Sequence, residues 1–75
     1  NPNATLEFYL DNPGKTRLSI FDISGRHVID LYNNTIQGGQ YRVIFNAASL
    51  PSGIYIARLT QNDHLVANKK LLLVK

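Results

Sequence analysis

The chain has 75 residues, 44% of them apolar, no cysteine, and a formal charge of +3. That length holds one domain, which buries only about 60% of its unfolded surface and has no disulfide or thiolate metal site to stiffen it. The cations are scattered from Lys15 to Lys75 rather than massed in one block, which argues against a nucleic-acid domain, and no apolar run approaches the ~20 residues of a membrane helix.

Side-chain polarity alternates with a period of two almost throughout, and helical spacing is absent. Thr5 to Leu10 puts Leu6, Phe8 and Leu10 on one face and Tyr9 on the other. Asp11-Asn12-Pro13-Gly14 is a dense turn signal. In the next strand Thr16, Leu18, Ile20 and Asp22 share the inward face, leaving Arg17 and Ser19 to water. Asp22 to Arg26 reads as a tight hairpin connection with Gly25 supplying a positive φ, and His27 to Leu31 as the returning strand.

Tyr32 to Gly39 reads as a polar loop closed by two glycines. Tyr41, Val43 and Phe45 then point one way, Gln40 and Arg42 the other. Asn46 to Leu50 reads as one short helical turn capped by Asn46, ended by Pro51-Ser52-Gly53. Ile54 to Thr60 is apolar on both faces and therefore central. Asn62-Asp63 is a two-residue hairpin turn, and Leu65 to Lys75 is the last strand, kinked near Ala67-Asn68. Six to seven short strands, spaced by about 8–12 residues, predict an all-β fold. The expected architecture is a small antiparallel, immunoglobulin-like β-sandwich with Leu18, Ile20, Val43, Phe45, Tyr55 and Leu72 inside.

Catalytic chemistry is hard to place on this sequence. His27 and His64 sit at opposite hairpin positions and two histidines cannot make a metal site alone, so no metal or other cofactor is expected. Asp63-His64 has no nucleophile elbow to serve, and the turn glycines open no helix that could cradle a phosphate. Asn3-Ala4-Thr5 and Asn33-Asn34-Thr35 match the N-glycosylation tripeptide, which matters only in a eukaryotic secretory pathway. The four tyrosines could form a sugar-binding platform, but with the three phenylalanines they are also the only bulky core material, and there is no tryptophan.

Several blocks stand out together. Asn1-Pro2 opens the chain, and Leu6-Glu7-Phe8-Tyr9-Leu10 follows. A strand then runs into Asp22-Ile23-Ser24-Gly25-Arg26-His27-Val28. Gly39 leads a strand ending at Phe45-Asn46; Leu50-Pro51-Ser52-Gly53-Ile54-Tyr55 comes next, and Lys69-Lys70-Leu71-Leu72-Leu73-Val74-Lys75 last. In this order the blocks resemble the type IX secretion system C-terminal sorting domain, type A, over essentially the whole chain. The departures are small: Ile56-Ala57 follows Tyr55 where an aromatic is common, and Phe45 stands where Trp is frequent.

The resemblance implies an address label rather than an enzyme. It makes residues 1–75 the sorting domain of a larger exported precursor, whose N-terminal cargo crosses the inner membrane by a signal peptide. The expected partners are that cargo, the outer-membrane translocon and a surface sortase that removes the tail. The expected route runs through the periplasm to the cell surface or the medium. The sorting-signal residues it points to are Asp22, Gly25, Arg26, Pro51, Gly53, Tyr55, Lys69, Lys70 and Lys75. The final strand, if it forms an edge, can bind a receptor by strand addition, with the lysines giving specificity. The competing reading is a non-catalytic spacer or carbohydrate-binding sandwich of a multidomain secreted enzyme.

Overall fold

A computed structural model describes residues 3–74. All of its regular structure is strand: β1 (Asn3–Leu10), β2 (Gly14–Asp22), β3 (His27–Ile36), β4 (Gly39–Asn46), β5 (Gly53–Gln61) and β6 (His64–Leu73). β1 and β4 pair into a short sheet; the other four form a sheet in the order β3-β2-β5-β6, and every pairing is antiparallel. The predicted all-β sandwich is the fold observed. β5 is central, as its two apolar faces required, and β6 forms an edge.

The core fills the space between the sheets. Leu6 and Leu10 come from β1, Leu18 and Ile20 from β2, Phe45 from β4, Tyr55, Ala57 and Leu59 from β5, and Leu71 and Leu73 from β6. Phe8 stacks on Tyr41 across the short sheet, ring centroids 5.4 Å apart, and both pack against that core. Val43 is half-buried there.

The turns follow local chemistry. Asn62 and Asp63 both take left-handed φ, 52° and 66°, which gives the two-residue connection the twist its strands need. The Asn62 amide donates to the Lys15 carbonyl at 2.8 Å, and Lys15 N–H donates to Asn62 Oδ1 at 3.1 Å, so this turn is tied to the start of β2. Residues 47–50 form a single hydrogen-bonded turn rather than a helix: Leu50 N–H donates to the Ala47 carbonyl, and Asn46 Oδ1 accepts from Ala48 N–H.

Four expectations need correction. Residues 32–36 are strand, not loop, because β2 offers backbone partners as far as Gly14, opposite Ile36; the polar Asn33, Asn34 and Thr35 are tolerated because β3 is an edge. Ser19 is only 3% exposed, since the outward face of β2 is roofed by larger neighbours and its hydroxyl is engaged by Asp30. Leu72 is 70% exposed, whereas Leu71 and Leu73 are buried. Three consecutive leucines carry no phase of their own; pairing of Leu71 with the buried Tyr55 sets it. The irregularity in β6 falls at Val66, left over as a bulge where the register jumps from Leu59–Ala67 to Thr60–Leu65, just before the expected kink.

Candidate functional site

The sequence blocks that stand apart along the chain meet in space. Across β2, β5 and β6, Asp22 is in register with Tyr55 and Tyr55 with Leu71; one step along, Phe21 aligns with Ile56 and Ile56 with Lys70; then Ile20 with Ala57 and Ala57 with Lys69. The Asp22–Arg26 hairpin, the Pro51–Tyr55 corner and the C-terminal part of β6 therefore share one end of the four-stranded sheet, with Lys70 and then Lys69 following inward from Leu71 on opposite faces. Asn1, Pro2 and Lys75 lie outside the described residues.

At the hairpin, Asp22 Oδ1 accepts three hydrogen bonds: from Ser24 Oγ at 2.6 Å, Ser24 N–H at 3.0 Å and Arg26 N–H at 2.9 Å. Asp22 N–H donates to the Arg26 carbonyl, and Gly25 N–H to the Asp22 carbonyl. Gly25 closes the turn at φ 91°, which L-residues adopt only under strain. Chiefly through the Ser24 hydroxyl and the Arg26 amide, this donor set holds the Asp22 carboxyl below its ordinary pKa. The Arg26 side chain stays exposed, its Nε 3.7 Å from Asp22 Oδ2. Asp22 is thus the keystone of the turn, and Arg26 is what the turn displays.

At the corner, the buried Tyr55 donates its hydroxyl proton to the Pro51 carbonyl at 2.7 Å, locking the chain as it enters β5. Pro51, Gly53 and Tyr55 are in this sense architectural. Lys69 and Lys70 are exposed, and among the described residues neither has a carboxylate within ion-pair distance. Outward from the same end project Ile54 and its cross-strand neighbour Leu72, with Ile23 and Val74 also exposed. The surface joins Arg26 and Lys70 to bare aliphatic side chains. It is suited to recognition, not to bond-making.

A second cluster lies on the outward face of β2, β3 and β5, and sequence reasoning missed it. Asp30 accepts from Ser19 Oγ at 2.5 Å and lies 2.8 Å from His27 Nε2, with Arg17 at 4.0 Å. Ser19 and then His27 lower its pKa. The Arg58 guanidinium sits 4.5 Å from the centre of the Phe21 ring, and His27 meets that ring edge-on. His27 and Asp30 are three residues apart on β3, but only cross-strand register adds Arg17, Ser19, Phe21 and Arg58 to them. Asp30, not His27, stands at the centre and takes the Ser19 hydroxyl hydrogen bond; a carboxylate held at lowered pKa is a weaker base than an imidazole, so the trio lacks the serine–histidine pair of an activated nucleophile.

A model described as the secretion system C-terminal sorting domain matches residues 1–75, the whole chain. The chain belongs to this family. It is a type IX sorting domain, the kind of module that marks a protein for export across the outer membrane to the surface or medium, and the family is not catalytic in itself. No curated protein matches the sorting domain. A solved structure of an uncharacterized protein from Bacillus anthracis str. Ames superposes on it with a TM-score of 0.62 and 13% identity, covering 91% of this chain and 69% of its own. At that identity the likeness is one of fold alone.

Proposed function

We propose that residues 1–75 are the sorting domain of a larger exported precursor, and that the motif end of the four-stranded sheet is the surface its secretion machinery reads. The observation that carries this reading is the convergence of Asp22–Arg26, Pro51–Tyr55 and the C-terminal part of the strand that carries Lys69 and Lys70 on one end of one sheet. Asp22, Gly25, Pro51, Gly53 and Tyr55 build that end; Arg26 and Lys70 are its displayed cations, Lys69 stands beside them on the other face of β6, and Lys75 belongs to the same sequence block. The cargo enters the periplasm behind a signal peptide, the translocon takes up the folded domain, and a surface sortase cleaves it from the cargo.

The test replaces Lys69, Lys70 and Lys75 together by Gln in a domain fused behind a signal-peptide-bearing reporter, in a bacterium with a type IX system. Lys69 and Lys70 are exposed, and such lysines change stability by no more than roughly 0.5 kcal/mol each, so the variant should fold. The expected result is a reporter held in the periplasm. Normal export of the folded variant would reduce the lysines to edge protection against aggregation and leave recognition to the hairpin and corner.

A further inference from the structure

The sandwich is lopsided: two strands face four. On β6, Ala67 and Lys69 are in register with the buried Leu59 and Ala57 and share their inward face, yet both are exposed. The short sheet ends at β1, which shares the lining of a groove with them. It is an open groove of about 60 Å³ between β1 and β6, walled by Leu6, Phe8, Leu59 and Ala67. Along it, β1 presents an edge that pairs with no other described strand. Such an edge offers backbone donors and acceptors at every second residue.

The charges on the rim are not balanced. On the β1 side, the Glu7 carboxylate is answered by Arg42, whose NH2 lies 3.1 Å from Glu7 Oε2. On the β6 side, no described carboxylate answers Lys69. The groove is too small for a packed helix but admits the side-chain tips of a strand lying along β1.

We propose that this groove and the free edge of β1 accept an extended segment of the secretion machinery as a third strand of the short sheet, its groove-facing residues, every second one, being apolar with one acidic residue among them. Its backbone pairs with β1, its apolar side chains cover Leu59 and Ala67, and a carboxylate meets Lys69. This rests on the sorting reading, and it places the strand addition on β1 rather than on the outer edge of β6.

The test uses the 75-residue chain and a blocked ten-residue peptide in which every second residue is threonine and the others, which share one face, are valine with one central glutamate. Titration followed by NMR should give saturable shifts at the Ala67 methyl and the β1 amides, with new hydrogen-exchange protection on alternate residues of β1. Ala67→Phe fills the groove and should weaken binding on the order of tenfold, the equivalent of one lost apolar contact. If that variant fails to fold, Lys69→Glu carries the test with the same direction of effect. The same peptide with lysine in place of the glutamate should bind at least about tenfold more weakly. Shifts confined to the outer edge of β6, or binding unchanged by either substitution, would overturn the proposal. So would β1 protection already present in a longer precursor without peptide, which would make the occupant the precursor's own upstream segment. In the reporter fusion, Ala67→Phe should block export; loss of peptide binding with normal export would overturn the assignment to the secretion machinery. Failure of the unsubstituted fusion to be exported sinks the sorting reading instead, whatever the peptide does.

Discussion

Replacing Gly25 by Val isolates one conformational demand. The residue holds φ 91°, and a Cβ built there meets nothing within 4 Å, so the substitution adds strain without a clash. A left-handed L-residue costs about 1–2 kcal/mol, and β-branching pushes the figure toward about 3 kcal/mol. Losing glycine's freedom in the unfolded chain returns about 0.4–1 kcal/mol. The net cost should be about 1–2 kcal/mol, against a total stability of roughly 4–11 kcal/mol for a domain of this size. For a small domain this lowers Tm by about 4–16 °C. Thermal and urea unfolding followed by circular dichroism measure it, and Gly25→Asn, which tolerates left-handed φ, should fall between wild type and valine. An unchanged valine midpoint, or equal losses for asparagine and valine, would refute the account of this hairpin.

Other outcomes follow from the same geometry. Leu71→Ala should cost about 2–4 kcal/mol in chemical unfolding, whereas Leu72→Ala should stay within about 0.5 kcal/mol of wild type; the reverse pattern would place β6 in the other phase. Tyr55→Phe removes the hydroxyl that meets the Pro51 carbonyl and should lower stability by about 0.5–1.5 kcal/mol, read from the urea midpoint. Asp22 and Asp30 have folded pKa values below their unfolded ones, so their stabilisation is complete above the unfolded carboxylate value near 4 and drains as pH falls through the folded values. Unfolding midpoints should therefore drop below about pH 4, and Asp30→Asn should flatten that drop; a wild-type midpoint that is level across this range would contradict the bonding seen at both carboxylates.

Strand identity was largely legible because period-two alternation in a two-layer fold is set by burial, as in Leu6, Phe8 and Leu10 or Tyr41, Val43 and Phe45. Turns were legible where glycine or an Asn-Asp pair fixed the backbone. Phase was illegible where the pattern lost contrast: Leu71-Leu72-Leu73 are chemically alike, and only pairing with Tyr55 decides which one faces out. Residues 32–36 read as loop because asparagine and threonine look unstructured until a neighbouring strand supplies their hydrogen-bond partners. The hairpin and corner motifs could be found along the chain, but their meeting at one end of a sheet depends on β2, β5 and β6 being neighbours. Of the Asp30 cluster only the i,i+3 spacing of His27 and Asp30 lay in the sequence, since Ser19 and Arg58 join them through register.

The central claim is that this domain carries an export address. Its most direct measurement compares one fusion in two strains: a signal-peptide-bearing reporter ending in residues 1–75, expressed with an intact type IX translocon and with the translocon deleted, and assayed by cell fractionation. The reporter should reach the surface or medium only in the intact strain and accumulate in the periplasm of the other. Periplasmic accumulation in both strains would contradict the account and favour a spacer module.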